Sequence, residues 1–514
     1  MSRELPAQPN LEHLRKQAKA LLREWRRQDD GTRRQLSDAQ HETAREYGFS
    51  TWADLKNHVE TLVMAADPAR ALMDAIIRHD PAAMRRILAS SPALRAGINE
   101  PFAGSSFGQT ALLEVVMRTN GPMVDVLLEF GADINQKSHW WAGGFHVLDQ
   151  TSVEFAPYLI ERGAIVEAPA AARLGMIDEL RAMIARDPSV VHFHGPDGQT
   201  PLHMASTMAI TQLLLEHGAD IDALDIDHES TPAQYMLRVT QTRHYPKDRQ
   251  DIARELVARG CRTDILMASA LGDIALVQKH LDADPASIRT RVDERWFPKK
   301  NPEAGGTIYI WVLGHHRTAH SIAKAFGHPD VYQLLMERSP TDLRFAIAAE
   351  VGDEAAFREL LTAKPDLVAT LSDADKRKLA DAAENNNLDA VRLMLGAGWP
   401  VDFVGAHGGA ALHWAGFHGN AAMVREILKY RPTVDLFEGQ YAMTPLGWAC
   451  YGSENGWHRD TGDFAGAVQA LLEAGAEAPP KMEEFTATDA VHDVITHFTR
   501  PSETAPSTHS TRRQ

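Results

Sequence analysis

Thr200-Pro201-Leu202-His203-Met204-Ala205 is followed by the apolar run Leu213-Leu214-Leu215 and then by Gly218-Ala219-Asp220-Ile221-Asp222. Each part has a local physical meaning. A threonine hydroxyl can cap a helix, and a proline fits the first helical position, where its missing N–H costs nothing. The leucines supply one apolar face. Glycine after the second helix accepts the positive φ that stops it. Asp-Ile-Asp then suits a turn. The stretch predicts two short antiparallel helices joined to the next pair by a finger.

The same pattern returns elsewhere. Ala410-Ala411-Leu412-His413-Trp414-Ala415 and Thr444-Pro445-Leu446-Gly447-Trp448-Ala449 are two further copies, with His413 and Gly447 34 positions apart. Thr231-Pro232-Ala233-Gln234 and Thr110-Ala111-Leu112-Leu113 are worn copies. Gly131-Ala132-Asp133-Ile134-Asn135, Gly163-Ala164, Gly398 and Gly475-Ala476 repeat the closing signature. A period of about 33 residues marks stacked supersecondary units, none of which can bury its apolar face alone. These hexamers and closing glycines resemble the ankyrin-repeat family, over about four-fifths of the chain from Ala71 to Ala478 and in the manner of bacterial members. The resemblance implies an all-α solenoid of about a dozen degenerate helix-turn-helix repeats with short hairpin tips. It implies protein partners and no chemistry of its own. It also implies a structural role for His203 and His413, bridging the backbone of adjacent fingers. The units near Ala268 and Phe345 keep only the helix pair, and Gly305 to His316 is the most aberrant stretch.

Outward from the array, residues 1–65 read as a small helical unit. Leu11, Leu14, Ala18, Leu21, Leu22 and Trp25 form one helical stripe. Asp29-Asp30-Gly31 is expected to end that helix, a second is expected over Asp38 to Glu46, and Ser50 or Thr51 is expected to cap a third. Residues 66–480 form the expected array. Residues 481–514 hold a short helix over Ala487 to Phe498 and a Ser-, Thr- and Pro-rich tail that reads as disordered.

Bulk properties exclude several classes. The 514 residues are 44% hydrophobic and carry a formal charge of −16, which argues against general nucleic-acid binding and against docking on anionic lipid. The basic face Arg15, Lys16, Lys19 and Arg23 is the one feature favouring nucleic acid, and it reads as solvated. No run reaches the roughly 20 apolar residues of a membrane-spanning helix. Two cysteines, Cys261 and Cys450, with no apolar leader at the N-terminus, point to the cytoplasm. A monomer is expected.

No catalytic residue, cofactor or metal is assigned. His315, His316, His320 and His328 form the densest histidine group, and His316 and His320 would share a helix face, but no Cys or paired Glu completes a ligand set. No phosphate-binding glycine loop or nucleophile elbow is present. Three insertions carry the remaining interest: Thr242 to Lys247, Glu294 to Gly306, and Tyr451 to Phe464. Insertions in repeat proteins go to loops, often on the binding face. The expected partner contacts are exposed aromatics on tips and insertions, namely Trp140, Trp141, Trp296, Phe297, Trp414, Trp448 and Trp457, with the polar trio His458, Arg459 and Asp460. The rival readings are a small-ligand protein or an enzyme using a pocket beside Trp457, with His458 and Asp460 as an acid–base pair, and an adaptor touching nucleic acid through the N-terminal helices.

Overall fold

A computed structural model describes residues 3–6, 9, 11–28, 34–102, 105–238, 249–478 and 486–499. The insertion Thr242 to Lys247, the expected stop at Asp29 to Gly31 and the tail beyond residue 499 lie outside the described residues. The chain divides into two compact units: Met1–Arg262 with Phe297–Val312, and Thr263–Trp296 with Leu313–Gln514.

The described residues are helical, and the fingers hold no strand. Only two isolated bridges occur among them, Arg291 with Thr318 and Glu438 with Met443. The expected hairpin tips are therefore turns.

The first unit opens with helices Leu11–Gln28, Leu36–Glu46 and Trp52–Ala66. Thr51 caps the third, its Oγ1 accepting from the Asp54 N–H. Leu14, Ala44, Leu55 and Val59 bury the shared face of the three. Helix pairs follow, beginning with Pro68–Ile77 and Pro81–Ser90, then Ala111–Met117 and Gly121–Glu129. The next unit has lost its first helix: residues 146–151 are turns, and only Ala156–Glu161 remains. Ala168–Leu174 with Ile177–Arg186, and Pro201–Met204 with Met208–Glu216, continue the series. Pro201–Met204 is a single turn, so this unit is short between its helices.

Second helices end alike. Gly131, Gly163 and Gly218 have φ of 95°, 96° and 86°, and a Cβ on any of them would meet nothing within 4 Å. Backbone conformation alone selects glycine there.

In the second unit, Ile265–Leu271 with Ile274–Ala283 and Thr341–Glu350 with Glu354–Ala363 are pairs without the hexamer. Lys378–Glu384 with Leu388–Gly396, Ala411–Phe417 with Ala421–Leu428, and Pro445–Asn455 with Phe464–Glu473 complete the array. Helix Asp489–Thr499 packs on the last of these, burying Val491 and Ile495.

Candidate functional site

Two surfaces stand out, one in each unit. In the first unit, a cavity of about 800 Å³ opens among the fingers and first helices of successive repeats. The fingers contribute Phe107, Gln109, Asp149, Gln150, Asp197 and Gln199. The helices and their ends contribute Glu114, Arg118, Arg173, Met204, Tyr235, Met236 and Arg249. Ile308 and Val312 close one side. Its lining is part apolar and part polar.

Each wall follows from the repeat. Phe107-Gly108-Gln109-Thr110 and Asp197-Gly198-Gln199-Thr200 are the same turn in two units, and Phe107 and Asp197 both take left-handed backbone, φ 58° and 56°. That turn sets Phe107 and Asp197 at the rim and buries Gln109 and Gln199. Trp140 donates its indole N–H to Asp197 Oδ1 at 2.9 Å, and the Gln199 amide N–H reaches Oδ2 at 3.4 Å. Gln199 Oε1 has no hydrogen-bond partner among the described residues. Burial pushes the Asp197 carboxyl up to about 6, with Asp227 adding like charge. Burial pushes Asp149 up to about 7, against the pull of the His146 N–H and Arg173.

The guanidiniums come from the helix side. Arg173 donates to the carbonyls of Leu148 and Thr151. Arg249 donates to His203 O and Ala205 O at 2.8 and 3.2 Å and to Tyr235 O at 3.2 Å. Arg118 pairs with Glu114 at 2.7 Å.

The insertion after Glu294 supplies the remaining side. The Glu229 carboxylate accepts from the N–H groups of Lys300 and Asn301 at 2.8 and 2.9 Å. The Gly305 N–H donates to Asp227 O at 2.8 Å, and the Ile308 N–H to Ser230 Oγ at 3.0 Å. Residues 297–312 are thus strapped to the finger Asp225–Ser230.

In the second unit, aromatic rings gather over the last two repeats. Trp414 meets Trp448 edge-on at 5.0 Å and stacks against Trp457 at 5.9 Å and 29°. Phe417 meets Trp457 edge-on at 5.4 Å. The insertion does not wholly replace a turn. Tyr451 to Asn455 extend the helix Pro445–Asn455, and only residues 456–463 form the loop. Side chains at Gly456 and Gly462 would strike the carbonyls of Phe417 and His418, so glycine lets this loop lie directly on the preceding repeat. Trp457 nevertheless remains 66% exposed, and Tyr451, Tyr441 and Phe437 are exposed as well.

The expected contact residues divide. Trp457 and Trp141 are exposed. Arg459 and Asp460 are exposed and 3.9 Å apart, and His458 is half-buried with its ring 4.9 Å from that of His418. Trp140, Trp296 and Phe297 are half-buried. Trp414 and Trp448 were expected on the surface and are buried, at 2% and 5% exposure. Each is covered by the neighbouring repeat and by the aromatic rings around it, and the Trp448 indole also donates to Glu438 at 3.4 Å. The shared helix face for His316 and His320 does not form either. His316 sits in the turn before helix Ala319–Ala325 with φ 58°, and His320 is buried against Ser339 Oγ at 2.8 Å. Among the described residues no group of three potential ligands is placed to hold a metal. The cavity lies in the first unit, whereas the rival reading looked for a pocket beside Trp457. Sequence reasoning missed the cavity residues, although the shared x-Gly-Gln-Thr turn is visible in the sequence.

The histidine of the hexamer is a structural group. The Nδ1 atom of His203 accepts the Thr200 N–H at 3.1 Å, and its Nε2 lies 3.0 Å from Ser230 O of the next finger. His413 Nδ1 accepts the Ala410 N–H at 3.2 Å, and its ring also faces the backbone of the next finger at Leu436 and Met443.

Comparison with known families agrees with this geometry. A model of three ankyrin-repeat copies matches residues 379–481, and single-copy ankyrin-repeat models match residues 197–226 and 107–136. No curated relative matches the chain. The chain carries ankyrin repeats in these segments, and such repeats generally mediate protein–protein interaction. Among the described residues no helix is long and apolar enough to cross a membrane.

Proposed function

We propose that this protein is a non-catalytic scaffold whose partner protein docks on the aromatic ridge of the last two repeats. One observation carries the reading: Trp457 is 66% exposed and yet held in place by stacking on Trp414 and by an edge-on contact with Phe417. A large aromatic ring immobilised at the surface loses little entropy on binding, which is the property of an interface hot spot. His458, Arg459 and Asp460 would form the polar rim. Tyr451 extends the ridge along the helix. Exposed aromatics on the neighbouring finger, Tyr441 and Phe437, offer further apolar area.

The test is capture from a lysate of the source cell with the parent chain and with Trp457→Ala. A binding role predicts near-parental melting, since exposed substitutions typically change stability by no more than about 0.5 kcal/mol. It also predicts loss of the principal captured protein, because a hot-spot truncation costs about 2 kcal/mol or more. Unchanged capture, or capture lost only alongside a melting temperature many degrees lower, would sink the reading.

A further inference from the structure

The cavity of the first unit shares no residue with the aromatic ridge, and its charged side chains are of two kinds. The guanidiniums serve the fold. Arg173 and Arg249 donate to backbone carbonyls, Arg238 donates to Trp311 O at 2.8 Å, and Arg118 pairs with Glu114. The finger wall at Asp197 and Gln199 is different. Gln199 is only 5% exposed, and its Oε1 has no partner among the described residues. Turning the amide would not satisfy this side chain, since Oε1 would then face Asp197, where the N–H now donates at 3.4 Å. A buried acceptor left without a donor is unfavourable. Gln109, at the same place in its own turn, is engaged by Gln150 at 3.1 Å. The charged groups that act on Asp197 are Asp225, Asp227 and His228, two carboxyls and an imidazole. Both Asp197 and Gln199 line the cavity.

We propose that Asp197 and Gln199 bind a cationic N–H group on an apolar stem, an alkylguanidinium or alkylammonium. The group donates to Gln199 Oε1 and to the Asp197 carboxylate, and it brings the positive charge that Asp225 and Asp227 do not. Its stem lies along Phe107, Met204 and Met236, which line the same cavity and offer a surface of adaptable shape. Phe107 stands edge-on to Trp140 with ring centres 4.8 Å apart, so the rim beside Asp197 is aromatic, a surface that also attracts cations. An anion would meet like charge here, and Arg173 and Arg249 could turn to it only by leaving their carbonyls. A neutral donor would satisfy Gln199 and leave Asp197 without counter-charge. The volume of about 800 Å³ admits a whole arginine or lysine residue, so the group can arrive on a free amine or on a partner's chain.

The site sets a direction for pH. Asp197, facing Asp225, Asp227, His228 and the Trp140 N–H, stands at about 6. A bound cation favours the ionised carboxylate, so binding releases a proton and tightens as pH rises through this value. Protonating His228 would add like charge beside the ligand and so acts in the same direction.

The experiment is calorimetric titration of the full chain with butylguanidinium, butylammonium and the neutral isostere butylurea, and with the N-acetyl methylamides of arginine and lysine. Expected are saturable binding of at least one cation and binding about tenfold weaker for butylurea. Expected too are weaker binding at about pH 5 than at about pH 8 and a loss of about tenfold in Asp197→Asn and in Gln199→Met. Asparagine can still accept the Trp140 N–H and tolerates the left-handed backbone at residue 197, so Asp197→Asn keeps the parent's melting temperature and decides the matter should Gln199→Met fold poorly. Binding of the simple cations assigns the site to a free ligand, whereas binding of the acetylated methylamides alone assigns it to a side chain of a partner. The proposal is overturned if no cation binds at about 10 mM, if butylurea binds as well as the cations, or if Asp197→Asn binds as the parent does at both pH values. None of these outcomes bears on the Trp457 ridge, so the two readings fail separately.

Discussion

His203 shows what a single side chain does in this fold. It is fully buried, it joins the cap of its own helix to the finger of the next repeat, and burial holds its imidazole down at about 4. A proton added to the folded state would place a charge in the core and take away the acceptor for the Thr200 N–H. The unfolded chain meets no such penalty and takes its proton near 6.5. Stability from this residue is therefore complete above about pH 6.5 and declines as pH falls toward 4, by on the order of 3 kcal/mol over the whole window. His203→Gln should start lower at neutral pH, by about 1 kcal/mol for the lost hydrogen bonds, and should then fall less steeply with acid. Urea denaturation of parent and variant at several pH values checks this. Parallel slopes would show that His203 is not buried neutral.

At the scale of the element, a local signal was legible and a distant one was not. Thr-Pro caps and closing glycines are written within a few residues, so the helix pairs and their C-terminal stops could be read directly, even in worn units such as Thr231 to Tyr235. The cavity could not, because Gln109, Asp149 and Gln199 belong to different units and meet only through stacking. Trp414 and Trp448 were misjudged for a related reason. Periodicity shows that a residue shares a helix face, but not that the next repeat and an inserted loop cover it. The strap after Trp296 also exceeds sequence reading, since its anchor Glu229 lies some seventy residues earlier. That anchor is testable. A carboxylate accepting two backbone N–H groups contributes about 1.5–3 kcal/mol per bond to holding its segment. Glu229→Ala should therefore speed hydrogen exchange at Lys300, Asn301, Gly305 and Ile308, while the amides of helix Gly121–Glu129 exchange as before. Unchanged exchange at the strap would mean that Gly305 and Ile308 hold it without Glu229.

For the whole molecule, the question is how the array ends. Each repeat buries its apolar face on a neighbour, so the last pair, Pro445–Asn455 with Phe464–Glu473, needs a cover of another kind. Helix Asp489–Thr499 supplies it. Ala487, Val491 and Ile495 are buried at 1%, 0% and 0% exposure, and the Thr488 N–H donates to Ser453 Oγ at 3.0 Å. The opposite face of this helix is polar, with His492, Asp493 and Thr496. This is the division of labour a terminal cap requires, apolar toward the array and polar toward water. A chain stopped after residue 499 should melt and elute as the full chain does, because every buried side chain of the cap is retained. A chain stopped after residue 485 should lose about 1.5–3 kcal/mol for each of the two larger side chains removed and expose the face of Phe464–Glu473 that they cover. It should melt several degrees lower and associate as concentration rises, as an uncovered apolar face does. Light scattering and thermal melting of the two truncations decide the matter. Equal melting and equal mass would show that the array closes on its own last repeat, and that helix Asp489–Thr499 is an appendage rather than its cap.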